Sequence, residues 1–277
     1  MILIADSGST KCHWALCRRS GETVRLASGG LNPFACSDSK IALTLDEDLM
    51  PHLAADSVEA VYFYGAGCIF DGAERIERAL STRFPDARVE VDGDMLGAAR
   101  ALCGHSGGIV CILGTGSNSC LYDGERIVAN VPPLGYVLGD EGGGAHIGRL
   151  VVADILKGMM PEHLRKALYE ECATSYAEII ENVYRRPQAN RYLAGFAEFA
   201  ARHLDEPSIG ACVDSAFDAF IERNVMQYDH LSCTVGFVGS IAHFFRDRVL
   251  SAVERHGLRA GDIMRSPIDA LAAYHTA

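Results

Sequence analysis

The feature that most restricts this chain is a pattern that occurs twice: a short apolar run, a bend of glycine and hydroxyl residues, and a second apolar run. The first copy runs from Met1 to Asp6, bends through Asp6-Ser7-Gly8-Ser9-Thr10-Lys11, and continues in His13 to Cys17 and Val24 to Ala27. The second runs from Gly107 to Leu113, bends through Gly114-Thr115-Gly116-Ser117-Asn118, and continues in Cys120 to Tyr122, an Asp123-Gly124 turn and Arg126 to Ala129. About a hundred residues separate the copies, too many for a solenoid period and suited to two related lobes.

Between the copies, Ala60 to Tyr64 and Arg88 to Val91 have the composition of strands, and Asp71 to Arg83 and Asp94 to Cys103 that of helices. Beyond the second copy, Gly144 to Gln227 is mostly helical in its apolar spacing, broken at Pro161, Pro187 and Pro207. Thr234 to Val238 is a last strand, followed by Gly239-Ser240, a long amphipathic helix over Ile241 to His256, and a helix over Ser266 to His275 that begins at a proline. The pattern predicts an α/β chain with an N-terminal lobe over 1–106 and a C-terminal lobe over 107–277. A helical insertion lies in the second lobe, and the final helix, 266–277, packs back on the first.

With 277 residues, 49% of them hydrophobic, such a chain can fill two cores. Its formal charge of -11 argues against broad attraction to nucleic acid or to an anionic membrane, so a polyanion has to be held locally. No window approaches the roughly 18 apolar residues of a membrane helix, and the first residues carry no basic leader, so a cytoplasmic protein is expected. The ten cysteines form no CxxC pair and no zinc-like spacing, which predicts buried, reduced thiols.

The small residues after Asp6 let backbone N–H groups approach a phosphate closely while hydroxyls add donors, and Asp6, at the strand end, would face the accompanying metal. One such bend alone is an ordinary hairpin tip. Two of them suggest paired loops of a nucleotide clamp, one for the β- and one for the γ-phosphate, although no GxxxxGK(S/T) loop occurs. Asp94, at a helix start, is either a cap or a general base that takes a hydroxyl proton, with Asp92 as its rival. Gly135 to Gly144 places Asp140 and Glu141 among five glycines. This is a charged loop tip or a binding loop whose carboxylates accept sugar hydroxyls, the following helix N-terminus offering its own N–H groups. No GxGxxG follows a strand, which disfavours a dinucleotide fold.

Taken in order, Asp6 to Lys11, Asp94, Gly114 to Asn118, Gly135 to Gly144 and Gly239-Ser240 resemble the BadF/BadG/BcrA/BcrD-type ATPase family, and within it the N-acetylglucosamine kinase-like branch. The resemblance implies the actin, hsp70 and sugar kinase superfamily, with two ribonuclease H-like lobes around a nucleotide cleft that holds ATP and Mg²⁺. It implies phosphate contacts for Gly8, Ser9, Thr10 and Lys11 and for Gly114, Thr115 and Gly116, and a metal-facing role for Asp6. It also implies an adenosine contact for Gly239 and Ser240, sugar contacts for Asn32, Asn118 and Asp140, and catalysis by Asp94. Two positions depart from the family pattern: Leu134 stands where the sugar kinases carry tryptophan, and Asp269 where the closing helix usually has glycine.

The expected activity is ATP-dependent phosphorylation of an amino sugar, N-acetylglucosamine to its 6-phosphate, with sugar and ATP as partners and a homodimer left open. Two alternatives belong to other classes. An ATPase activator of a radical dehydratase would need an iron–sulfur cluster, commonly with a cysteine just ahead of the Gly-Thr-Gly bend, where this chain has Leu113. A non-catalytic nucleotide sensor of the same fold would bind ATP without sugar-dependent turnover.

Overall fold

The computed structural model describes residues 1–53, 57–229 and 233–276. It divides into two compact units, one of Met1–Ser106 with Asp123–Ile127 and Ser266–Ala277, the other of Gly107–Tyr122 with Val128–Arg265.

The first unit contains β1 (Ile2–Ser7), β2 (Lys11–Cys17), β3 (Thr23–Gly29), α1 (Asp38–Thr44), β4 (Ala60–Gly65), α2 (Asp71–Arg83), β5 (Arg88–Gly93) and α3 (Asp94–Cys103). Its five-stranded sheet has the order β3-β2-β1-β4-β5. β1 runs antiparallel to β2, as does β2 to β3, whereas β1, β4 and β5 are mutually parallel. β1 is therefore covered on both faces, which its apolar run anticipates. Leu3 and Ala5 pack with Ile41, Ile76 and Leu80 of α1 and α2, and Ile4 packs on the opposite face.

The second unit contains β6 (Gly108–Leu113), β7 (Ser117–Tyr122), β8 (Ile127–Ala129) from its second residue on, the helical turn α4 (Gly135–Leu138), five helices α5 (Gly144–Leu156), α6 (Glu162–Glu171), α7 (Tyr176–Tyr184), α8 (Ala189–Arg202) and α9 (Pro207–Arg223), then β9 (Thr234–Val238), α10 (Ser240–Phe244), α11 (Arg246–Arg255) and β10 (Arg259–Met264). Its sheet order, β10-β9-β6-β7-β8, is that of the first sheet with β6 in the place of β1. β6 again pairs antiparallel with the next strand and parallel with β9. The repeated sequence pattern is thus a repeated topology.

The last helix, α12 (Ile268–Thr276), follows Pro267 and belongs to the first unit. Its Ile268, Leu271 and Ala272 cover Ile4, Ala15, Cys17 and Tyr64.

Two elements differ from the sequence reading. The predicted helix over Ile241 to His256 is interrupted at Phe245, whose φ of -103° and ψ of 26° leave the helical region, so α10 and α11 are separate. β10 has no counterpart in the prediction: its sequence RAGDIM lacks a β-branched run apart from Ile263, and its pairing with β9 is irregular between Ala260 and Ile263.

Candidate functional site

In an open α/β sheet, ligands gather at the carboxyl ends of strands where successive connections leave in opposite directions. β1 is such a strand, because the chain leaves it for β2 on one side and β4 lies on the other; β6 is its counterpart in the second unit. The two bends singled out in the sequence lie at these ends, while Asn32 follows β3, Asp94 follows β5 and Gly239-Ser240 follow β9.

In the first unit, the bend after β1 is closed by the Gly8 N–H donating to the Lys11 carbonyl at 3.0 Å. The segment after β3 is tied to it. Gly30 N–H donates to the Thr10 carbonyl at 3.0 Å, Leu31 N–H to Ser7 Oγ at 3.0 Å, and Asn32 Nδ2 to Ser9 Oγ at 2.8 Å. Only glycine permits this approach at position 30, where a Cβ would stand 2.5 Å from the Gly8 carbonyl oxygen. The structure therefore brings Asn32 onto the bend and leaves Gly8, Ser9, Thr10 and Lys11 exposed.

Asp6 lies one residue before the end of β1, in register with His13 and Tyr64. Its carboxylate accepts from Ser266 Oγ at 3.4 Å. Burial, and then the charge of Asp94, push its pKa up to about 7. Asp94 is the first residue of α3; the cap position is Gly93, and no side chain caps this helix. Burial raises the pKa of Asp94 against the opposing effect of the backbone N–H groups of Met95 and of Asp94 itself. Burial also raises that of Asp92, but there the Arg100 guanidinium works in the other direction, from 3.8 Å. The two rivals are thus distinct: Asp92 has a cationic partner, whereas Asp94 sits beside another acid. The turn after β4 is next to both, since burial first and then the charges of Asp94 and Asp92 push the Cys68 thiol up to about 12.

In the second unit, the bend after β6 is closed by the Gly114 N–H donating to the Gly116 carbonyl at 2.9 Å. The start of α5 is occupied by this bend: Gly144 N–H donates to the Gly114 carbonyl at 2.8 Å and Ala145 N–H to that of Thr115 at 2.9 Å. Those two N–H groups are not available to a ligand, as the sequence reading expected them to be. Asp140, at φ 54°, is buried against the same bend. Its Oδ1 accepts the Ser117 N–H at 3.2 Å, and a Cβ on Gly116 would meet its carboxylate at 2.7 Å. Burial raises its pKa, partly offset by that N–H. Asn118, on β7, accepts from Asn130 Nδ2 at 3.0 Å. Gly239 N–H donates to the Met264 carbonyl at 2.9 Å. Gly114, Thr115 and Ser240 meet at the rim of a cavity of about 630 Å³, whose other wall includes Arg191, Gly195 and Glu198 of α8.

Arg191, Glu198 and Arg202 were not singled out in the sequence. Their signal was present: positions 191, 198 and 202 share one face of α8, interleaved with the small residues Ala194, Gly195 and Ala201 that leave the space open. Asn130 was also missed, and nothing in its local sequence marks it.

A protein from Porphyromonas gingivalis described as a "putative N-acetylglucosamine kinase" is 48% identical, with 99% of this chain and 98% of that one covered and a TM-score of 0.96. The chain belongs to the N-acetylglucosamine kinase-like branch of the actin, hsp70 and sugar kinase superfamily. A protein from Chromobacterium violaceum described as a "putative N-acetylglucosamine kinase" shares the fold at 18% identity and a TM-score of 0.73, over 99% of this chain and 98% of that one. A ROK family glucokinase from Streptomyces griseus, solved with glucose and AMPPNP, shares the fold at 14% identity and a TM-score of 0.57, over 100% and 98% of the two chains. No family model and no curated protein matches the chain.

The two departures from the kinase pattern have structural consequences. Leu134 adopts a φ of 60° and is largely exposed, as are Val137 and Leu138 after it. Asp269 accepts a hydrogen bond from Arg25 Nε at 2.6 Å, which ties α12 to β3. Among the described residues no helix is long and apolar enough to cross a membrane, and all ten cysteines are free thiols.

Proposed function

We propose that this chain transfers the γ-phosphoryl group of ATP to an amino sugar, the 6-hydroxyl of N-acetylglucosamine. The observation that carries the reading is Asp94: a carboxylate at the carboxyl end of β5, largely withdrawn from water beside Asp6, with no cation among the causes that set its pKa, which burial raises. The name of the Porphyromonas gingivalis relative supports an amino sugar as acceptor.

Asp6 and Asp94 together suit a divalent cation, because two neighbouring acids in a partly buried site are costly without one. Mg²⁺ is commonly held by one or two carboxylates, with water and phosphate oxygens completing its shell. Asp6 would hold the ion, which when bound neutralises charge on the β- and γ-phosphates.

The chain's own residues would supply positioning and proton transfer. Ser9, Thr10 and Lys11, with Thr115 and Gly116, would donate to phosphate oxygens, while Gly8 and Gly114, whose N–H groups close the two bends, let the backbone come close to the phosphates; Gly239 and Ser240 would lie against the adenosine. Asn32, Asn118 and Asp140 orient the sugar, and Asp94 accepts the hydroxyl proton as that oxygen attacks phosphorus.

An ADP-release assay over a panel of sugars tests the reading. N-acetylglucosamine should raise ATP turnover well above the basal rate. Turnover indifferent to every amino sugar would overturn it and favour a nucleotide sensor.

A further inference from the structure

The loop between α4 and α5 holds Asp140 in a shape that its surroundings have to maintain. Asp140 has a φ of 54°, in the left-handed region, and Gly142 a φ of 70°. For a residue other than glycine that conformation costs energy and persists only where neighbouring bonds fix it. The ties differ in kind. Asp140 N–H donates to the Pro133 carbonyl at 2.9 Å, and Gly143 N–H to the Asp140 carbonyl at 3.0 Å. Glu141 pairs with Arg223 Nε of α9 at 2.7 Å. The Gly142 N–H donates to Nδ1 of His146, in the first turn of α5, at 3.1 Å. Of these ties, the last alone depends on a side chain that titrates near neutral pH.

The loop has little slack at this point. A Cβ on Gly142 would stand 2.9 Å from Phe220 Cβ, and one on Gly143 would stand 2.6 Å from the Gly116 carbonyl carbon. Asp140 Oδ1 accepts the N–H of the next residue, Ser117. A displacement at Gly142 is therefore passed to the Asp140 carboxylate and to the bend that it touches.

His146 is 9% exposed. Because its Nδ1 accepts, the ring is neutral and carries its proton on Nε2. A charged ring has N–H at both nitrogens, so protonation sets one donor against another and the Gly142 bond is lost. The charged groups around it are Glu141 from the loop, Arg149 from α5 and Arg223 from α9. Against Gly144 and Gly148 of α5, α8 places Ala194, Leu193 and Phe196, which carry no charge. Burial first, and then Arg149, lower the His146 pKa below its usual 6.5, with Glu141 working in the other direction. The accepting form is thus the one present at neutral pH.

Resting on the reading that Asp140 contacts the sugar, we infer that His146 is a positioning residue for the acceptor: the neutral ring holds the Asp140 turn in its sugar-binding shape, and protonation releases it. Acid then weakens sugar binding through a group that touches neither sugar nor nucleotide.

The test compares His146→Asn, His146→Leu and Asp140→Asn with the unaltered chain, measuring KM for N-acetylglucosamine, KM for ATP and thermal melting at pH 7.5 and pH 5. Leucine has no acceptor, and losing one buried hydrogen bond is worth about 2- to 10-fold. His146→Leu should raise the sugar KM by about that factor at pH 7.5 and leave the ATP KM unchanged, a split that a general loss of structure would not produce. Asparagine places Oδ1 at the same bond separation from the backbone as Nδ1 but does not titrate, so His146→Asn should restore the sugar KM. Between pH 7.5 and pH 5 the sugar KM should rise more in the unaltered chain than in His146→Asn. Equal rises in those two, or a His146→Leu variant that melts lower with its sugar KM unchanged, would overturn the assignment. If Asp140→Asn raises the sugar KM while the His146 variants do not, only the role of His146 falls; if Asp140→Asn leaves it unchanged, the reading of Asp140 falls and the inference with it.

Discussion

The carboxylates of Asp6, at the end of β1, and Asp94, at the start of α3, are neighbours, and the charge of Asp94 helps to hold the Asp6 pKa near 7. An acid raised from 3.8 to about 7 binds its proton more tightly in the folded chain than in the unfolded one. Between these two values the folded state carries the extra proton, so Asp6 makes the protein less stable as pH rises through that window. Asp6→Asn removes this penalty. The variant should melt higher than the unaltered chain at pH 8, by an amount that shrinks at pH 5, while losing sugar-dependent turnover. Thermal melts without added metal at both pH values check it, and an equal gain at the two would show that Asp6 is not the titrating group.

Asp94→Asn tests the chemistry rather than the electrostatics. Loss of a positioned base costs about 10²- to 10⁴-fold in turnover, and ATP binding measured by calorimetry should be retained. Asp92→Asn should have a much smaller effect, because Asp92 is paired with Arg100 and partly solvated. Comparable losses in the two variants would mean that the assignment between them is wrong.

Much of this was legible in the sequence, for reasons that can be named. α2 and α3 occupy the predicted spans because each follows a strand, carries an acid in its first turn and has a regular apolar stripe. β9 is bounded as expected because Val-Gly-Phe-Val is a buried run between polar residues. β10 was hidden because an edge strand paired on one side needs little apolar sequence. The break at Phe245 was hidden because both flanking helices present apolar residues in one phase, so nothing in the spacing marks the interruption. The bends and acids could be found from residue type alone, but the joining of Asn32 to Ser9 depends on a connection between β1 and a segment more than twenty residues away. The α8 wall depends on helix packing that no short motif encodes.

Gly30→Ala tests that joining. The added methyl would enter space held by the Gly8 carbonyl and the backbone of Ser9 and Thr10, with distances of 2.5 to 2.7 Å that the backbone has to relieve by moving. Overpacking of this kind costs about 1–3 kcal/mol. The displaced atoms belong to the first bend, so KM for ATP should rise together with the loss of melting temperature. A variant that melts lower but keeps its ATP KM would separate the bend from nucleotide binding.

The last helix predicts an acid sensitivity of opposite sign. His275 of α12 shares a hydrogen bond of 2.8 Å with Tyr64 Oη and stacks on Tyr62 at 3.8 Å between ring centroids. Burial first, and then the Arg100 guanidinium, lower its pKa to about 4. Arg100 itself donates to Tyr64 Oη at 2.5 Å, so the pair of cations would compete for one phenol if His275 were charged. In the unfolded chain His275 titrates near 6.5. Below that value the unfolded state takes up the proton first, and the stability that neutral His275 contributes is lost as pH falls from about 6.5 toward 4. The group is partly solvated, so screening reduces the effect to about 1–2 kcal/mol. His275→Gln keeps a polar partner for Tyr64 but cannot titrate. Its melting temperature should therefore fall less steeply than that of the unaltered chain between pH 7 and pH 4.5, even if it starts lower because the stacking on Tyr62 is lost. Parallel curves would show that the docking of α12 does not depend on the charge of His275.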